Sequence, residues 1–133
     1  MLYYRVSTKG QGISGLGLES QKAILRHYIN ESQIRQDYTD IVSGSSKDRP
    51  TLLKAVALCR SKGFTLAVAK VDRLSRNTKF TLDIYEQLKG NLFFADLPLS
   101  NDDKSGFKML LTFHSAIAER ERELIRIRTK AAL

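Results

Sequence analysis

Apolar positions follow two different periods along this chain. Leu2 to Ser7 reads as an extended segment, in which Tyr3, Arg5 and Ser7 face one way while Leu2, Tyr4 and Val6 face the other. One face is then free to pack and the other to carry chemistry. A polar, glycine-rich surface loop follows from Lys9 to Gly17. Leu18 to Asn30 has helical spacing, with Ala23, Ile24 and Tyr28 on its apolar side and Gly17 as a weak N-cap. Ile34 to Ile41 predicts a second strand of mixed polarity that ends near Asp40. After the loop Val42 to Asp48, Pro50 suits the first position of a helix reaching about Lys62, and it pushes Arg49 out of helical geometry to the N-cap. Phe64 to Val71 is nearly continuous in apolar residues, as expected of a parallel strand covered on both faces. Thr78 to Lys89 is an amphipathic helix, Leu92 to Leu97 a further strand, and Pro98 to Lys104 a polar loop. From Ser105 the pattern is helical to the end, roughly seven or eight turns at ~3.6 residues each. Its apolar residues Leu110, Phe113, Ile117, Leu124, Ile127 and Ala131 form one stripe, and Glu119 to Glu123, Arg126, Arg128 and Lys130 fill much of the remainder.

Alternating strands and helices predict an α/β fold: a mainly parallel central sheet of about four strands flanked by helices, with a long C-terminal helix. The expected division is a core over 1–104 and the long helix over 105–133. A helix of this length projects from so small a core. Its first half at least should pack on its own domain, while the stripe beyond needs a partner, most simply a second copy. No internal repeat or linker is visible.

At 133 residues, 42% of them hydrophobic, the chain is long enough for one domain with a substantial core. No apolar run is long enough to span a bilayer, and the N-terminus lacks the charged-then-apolar order of a signal peptide, so a cytoplasmic location is expected. Cys59, the single cysteine, lies in an apolar helical pattern and reads as a small buried hydrophobe. His27 and His114 are far apart, so no metal-ligand spacing appears and no metal is expected. The formal net charge of +8 favours a polyanionic partner such as nucleic acid.

Charge also concentrates where chemistry could occur. A serine hydroxyl is a poor nucleophile unless a base takes its proton or positive charge stabilises what forms, and Ser7 stands two residues from Arg5. Arg49 sits at a helix start, a poor place for a cation because the helix N-terminus is already positive. Asp72-Arg73-Leu74-Ser75-Arg76 follows the third strand. If a helical turn begins at Asp72, Arg73 and Arg76 share one face, Leu74 faces the core, and Asp72 holds one of the arginines in a fixed rotamer. Bound phosphate would resolve both crowdings of cations at helix starts. Such a cluster suits a phosphodiester, because guanidinium groups bind phosphate oxygens in bidentate fashion as negative charge builds on them. Gly10-Gln11-Gly12-Ile13-Ser14-Gly15 matches a dinucleotide-binding fingerprint in letters only. Ser7, Thr8 and Lys9 separate it from the strand, and the chain is too short for a second nucleotide-binding half. The two histidines lie on helices remote from Ser7, so the general base stays open between an arginine and an aspartate.

Three runs taken together, Tyr3-Tyr4-Arg5-Val6-Ser7-Thr8-Lys9-Gly10-Gln11, Gly15 to Gln21 and Asp72 to Arg76, resemble the catalytic domain of serine recombinases, the resolvase/invertase family. The resemblance covers nearly the whole chain. It implies Ser7 as the nucleophile on DNA, forming a 5′-phosphoserine link and releasing a 3′ hydroxyl, with neither ATP nor metal. It implies Arg5, Arg49, Arg73 and Arg76 on the scissile phosphate, supported by Gln11, Gln21, Asp40 and Asp72. Arg122 and Arg128 of the long helix would come near that site, with Arg126 and Lys130 as further DNA contacts. The implied partners are double-stranded DNA and other copies of the chain, as a dimer and as a tetramer during strand exchange. Two departures stand out. Ile127 replaces a glutamate that many members carry just before the arginine matched by Arg128, and the separate DNA-binding domain of the family is absent from this sequence. The alternative is a catalytically inactive module of the same fold, used for self-association and DNA contact.

Overall fold

The computed structural model describes residues 1–7, 17–42, 49–97 and 104–132 of the chain. Four strands form one parallel sheet in the order β2-β1-β3-β4: β1 (Leu2–Val6), β2 (Asp37–Ile41), β3 (Leu66–Val68) and β4 (Leu92–Phe94). The helices are α1 (Leu18–Tyr28), α2 (Pro50–Lys62), the single turn α3 (Val71–Leu74), α4 (Thr78–Gln87) and α5 (Lys104–Ala132), with a short 3₁₀ turn at Glu31–Gln33. Every predicted element is present. The strands are shorter than the apolar runs suggested, because residues such as Phe64, Ala69, Val71 and Leu97 lie outside the ladder yet still pack on the core.

Gly63 closes α2 in the left-handed region at φ 72°, where a side chain would be strained, and so turns the chain directly into β3. Helices cover both faces of the sheet. One core layer joins Tyr3, Leu66 and Val68 to Leu52, Val56, Cys59, Ile84 and Tyr85; the other joins Leu2, Tyr4, Ala67 and Ala69 to Leu25 of α1. This corrects the expectation that one face of β1 is free, since all five of its residues are buried. A central strand in a doubly covered sheet has no free face. Cys59 is buried as expected, and among the described residues no helix is long and apolar enough to cross a membrane.

The long helix meets the core along a seam of residues three apart. Lys108 Nζ lies 2.8 Å from Glu86 Oε1 of α4, Leu111 is fully buried, and His114 Nε2 lies 3.5 Å from Asp96 Oδ2. The predicted stripe is not this seam. Phe113 and Ile117 are 63% and 54% exposed, so the expected packing of the stripe's first half on its own domain does not occur for these two side chains. Leu111, omitted from the stripe, makes the inward contact instead.

Candidate active site

All four strands run the same way, so their C-terminal ends share one edge of the sheet. β1 is followed in sequence by a strand on one side of it, β2, while β3 and β4 lie on the other side. The crevice between the ends of β1 and β3 is therefore the topological switch point, where open α/β sheets place ligands. Ser7 directly follows β1 at this edge and is half-buried. α3 follows β3 at the same edge.

Arg5 is almost completely buried here. Its Nε donates to Arg73 O at 3.2 Å, Nη2 to Asp72 O at 3.0 Å and Nη1 to Val42 O at 3.2 Å. Backbone carbonyls hold the fork. Burial, with repulsion from Arg73 and Arg49, pushes the Arg5 guanidinium down to about 10, so it is still charged at neutral pH. The backbone of Arg5 is held just as specifically. β3 ends opposite Tyr3, which leaves the Arg5 amide and carbonyl beyond the last ladder pairing on that side. Gln21 of α1 supplies both partners: Arg5 N donates to Oε1 at 3.3 Å, and Nε2 donates to Arg5 O at 2.9 Å. Gln21 thus serves the backbone of Arg5 as a substitute strand.

Arg49 is the N-cap of α2, with Pro50 at the first helical position, as the sequence predicts. The awkward positive helix end is met by Asp40 of β2. Its carboxylate accepts from Thr51 N at 3.2 Å and Leu52 N at 3.0 Å, and from the Tyr3 hydroxyl at 2.9 Å. Tyr3 stands between Asp40, to which it donates, and the Arg49 guanidinium. Burial, then Asp40, pushes the Tyr3 hydroxyl far above its ordinary range, so it stays a neutral donor. Its place in this network was not legible in the sequence.

The turn α3 carries Asp72 and Arg73, with Leu74 in the core. Arg73 is mostly buried, and its Nε lies 3.8 Å from Asp72 Oδ1, a loose pairing. Arg76 does not share its face: α3 closes at Leu74, and Arg76 lies exposed in the bend before α4. Gln11 lies outside the described residues, as do the glycines from Gly10 to Gly15. Arg122, Arg126, Arg128 and Lys130 are exposed on the far half of α5, and among the described residues none bonds to the cluster; Arg126 pairs with Glu123 on its own helix.

Sequence reasoning also missed Asp96. Two residues past the end of β4, at the same edge, its carboxylate accepts from Val71 N, the first amide of α3, at 3.1 and 3.4 Å. His114, expected to be remote, pairs with this carboxylate. The available signal was position alone, an aspartate just after a strand that ends beside the site.

The described cluster thus joins Ser7, Arg5, Arg49 and Arg73 at one edge, with Asp40, Asp72, Gln21 and Asp96 as supports. Known proteins resemble this chain along its whole length. The family model "Resolvase, N terminal domain" matches residues 1–133. The serine recombinase gin of Escherichia phage Mu is 35% identical over 98% of this chain and 64% of its own length. The transposon Tn552 resolvase of Staphylococcus aureus is 35% identical over 97% of this chain and 62% of its own. The chain therefore spans a little under two thirds of these relatives. Among solved structures, the N-terminal catalytic domain of TP901-1 integrase superposes with a TM-score of 0.67 at 31% identity, covering 92% of this chain and 96% of that one. A resolvase family site-specific recombinase from Streptococcus pneumoniae gives 0.62 at 29% identity, covering 98% and 92%. With a family match along its whole length, this chain belongs to the resolvase N-terminal domain family.

Proposed function

We propose that this chain is the catalytic domain of a site-specific DNA recombinase that cuts and rejoins strands through Ser7. The observation that carries this is the meeting, at the switch point of the sheet, of a serine with a buried arginine whose fork is fixed by backbone carbonyls. Arg5 keeps donors of its fork for a phosphate oxygen after these contacts, and Arg49 and Arg73 add charge from neighbouring strand ends. In cleavage the Ser7 oxygen attacks phosphorus and loses its proton to a base, the bond to the 3′ oxygen breaks, and that oxygen takes a proton. Rejoining reverses each step, with the 3′ hydroxyl attacking phosphorus and Ser7 leaving. One phosphoester bond is made for each one broken, so no ATP is consumed.

Residues 1–104 serve as the catalytic core and 105–133 as a helix for self-association and contact with double-stranded DNA, through Arg122, Arg126, Arg128 and Lys130. The exposed stripe with Phe113 and Ile117 supports a second copy as partner, passing through a dimer to a tetramer during exchange. Because Arg122 and Arg128 make no bond to the cluster among the described residues, their approach to a phosphate belongs to the DNA-bound assembly.

The test is to incubate the full gene product with supercoiled DNA from its own locus, digest it, and search by mass spectrometry for nucleotide attached to the peptide carrying Ser7. An adduct that disappears in Ser7→Ala establishes both nucleophile and chemistry. DNA binding without any adduct would move the assignment to the inactive module.

A further inference from the structure

We infer that Asp96, gripped from α5 by His114, is a positioning residue for strand cleavage: its carboxylate fixes the first amide of α3, and the α3 carbonyls fix the Arg5 guanidinium. This inference rests on the proposed recombinase reading. Arg5 is a long side chain with several rotatable bonds, and two of its three carbonyl partners, Asp72 O and Arg73 O, belong to α3. Whatever sets α3 therefore sets the fork. A single turn of four residues is not self-supporting, since nucleating a turn costs more than its hydrogen bonds return. Lys70, its N-cap, offers no side-chain bond. Val71 and Leu74 anchor the turn to the core, and the Asp96 carboxylate is the only side chain among the described residues that bonds its first amide.

The same carboxylate is a contact point for α5. The seam of the long helix runs through Lys108, Leu111 and His114. The Lys108–Glu86 pair is solvent-exposed and holds little. Leu111 supplies the apolar anchor, and His114, one turn further on, touches a residue in direct contact with the reacting edge. A slide or rotation of α5 that withdraws His114 thus releases one oxygen of Asp96 and loosens the turn that carries Asp72 and Arg73. Any partner that repositions α5, a second copy on its exposed stripe or DNA along its basic half, would act on the Arg5 fork by this route. Burial pushes the Asp96 carboxyl above its ordinary range, with Asp72 adding to the push against the pull of His114 and the Val71 amide.

The experiment compares Asp96→Ala, Asp96→Asn and His114→Leu with the unaltered full gene product, reading single-turnover formation of the Ser7–DNA adduct, DNA affinity, and amide exchange at Val71 and Arg5 Nε. Asp96→Ala should slow cleavage by about ten-fold or more at unchanged affinity, and speed exchange at Val71 and Arg5 Nε by about ten-fold. Asp96→Asn keeps an acceptor for Val71 N and should recover most of the rate and protection. His114→Leu should slow cleavage and speed exchange at Val71, each by a smaller factor than Asp96→Ala, and adding it to Asp96→Ala should cost nothing further. Cleavage by Asp96→Ala within about two-fold of wild type, no recovery in Asp96→Asn, or full activity in His114→Leu overturns the inference. Should Asp96→Ala fail to fold, the other two variants decide it. Absence of an adduct in the unaltered protein would sink the recombinase reading instead, and the exchange measurements would still decide whether Asp96 holds the Arg5 fork.

Discussion

Replacing Asp40 with alanine should cost far more than its place at the end of an edge strand suggests. Asp40 is buried, and its carboxylate accepts two amides at the start of α2 and the Tyr3 hydroxyl. Loss of an acceptor at a helix N-terminus costs about 1–2 kcal/mol. Removing one acceptor from the buried Tyr3 hydroxyl adds about 1 kcal/mol. Arg49 then faces the positive end of α2 with no anion on its amides, for about 0.5 kcal/mol more. The sum, about 3 kcal/mol, corresponds to a drop in Tm on the order of 10 °C for a domain of this size. Asp40→Asn keeps an oxygen acceptor and should lose only about 1 kcal/mol. Asp37, exposed on the same strand, provides the control, and its alanine variant should stay within ~0.5 kcal/mol of wild type. Urea and thermal unfolding measure all three. A loss below ~0.5 kcal/mol for Asp40→Ala, or equal losses for Asn and Ala, would show that Asp40 does not cap α2 in the way described.

Gln21→Ala should destabilise by about 2 kcal/mol, because it orphans the Arg5 amide and carbonyl. Gln21→Glu should not rescue the loss, since a carboxylate accepts from Arg5 N but donates nothing to Arg5 O; equal stability of the Glu variant and wild type would contradict the substitute-strand role. Sulfate should raise Tm relative to chloride at matched ionic strength by relieving repulsion among Arg5, Arg49 and Arg73. The gain is about 1.4 kcal/mol at ten times its Kd, and Arg73→Ala should shrink it; an unchanged increment in that variant would place the anion elsewhere. The double variant Phe113→Ser, Ile117→Ser should weaken self-association in sedimentation while leaving the monomer's unfolding nearly unchanged, as both side chains are exposed. Unaltered association would remove the stripe as the interface.

Elements with a strong local signal were legible in the sequence. Pro50 after Arg49 marked the start of α2, the apolar run at Phe64 marked a doubly covered strand, and the lone Cys59 read correctly as core. What escaped was set by contacts between elements. The stripe through Phe113 and Ile117 was visible as a period, yet a period does not say which of two neighbouring faces meets the core, and Lys108, Leu111 and His114 make that contact. Ser7, Arg5, Arg49 and Arg73 could be nominated because their chemistry is dense in short motifs. Asp96 and Tyr3 could not, since each acts through a partner distant in sequence: Asp96 sits in no motif, and Tyr3 opens the first one without its chemistry marking it for a role. The backbone carbonyls that fix Arg5 carry no sequence signature at all. Arg76 was misplaced because spacing alone extended α3 past the residue where it closes.

The position of β1 in the sheet bears on how the chain folds. Its first residue pairs with Asp37 on one side and Ala67 on the other, so the strand that precedes Ser7 waits for partners made far later in the chain. Closing such loops is entropically slow, and the nucleus cannot be local. The arginines of the cluster enter from three separate strand ends, and Asp96 and His114 enter later still. On a ribosome, the serine is synthesised before these groups and meets the last of them only once β4 and the first turns of α5 have emerged. On the proposed reading, competence to cut DNA is then a property of the finished fold, and a nascent chain carries Ser7 without the groups that would let it act.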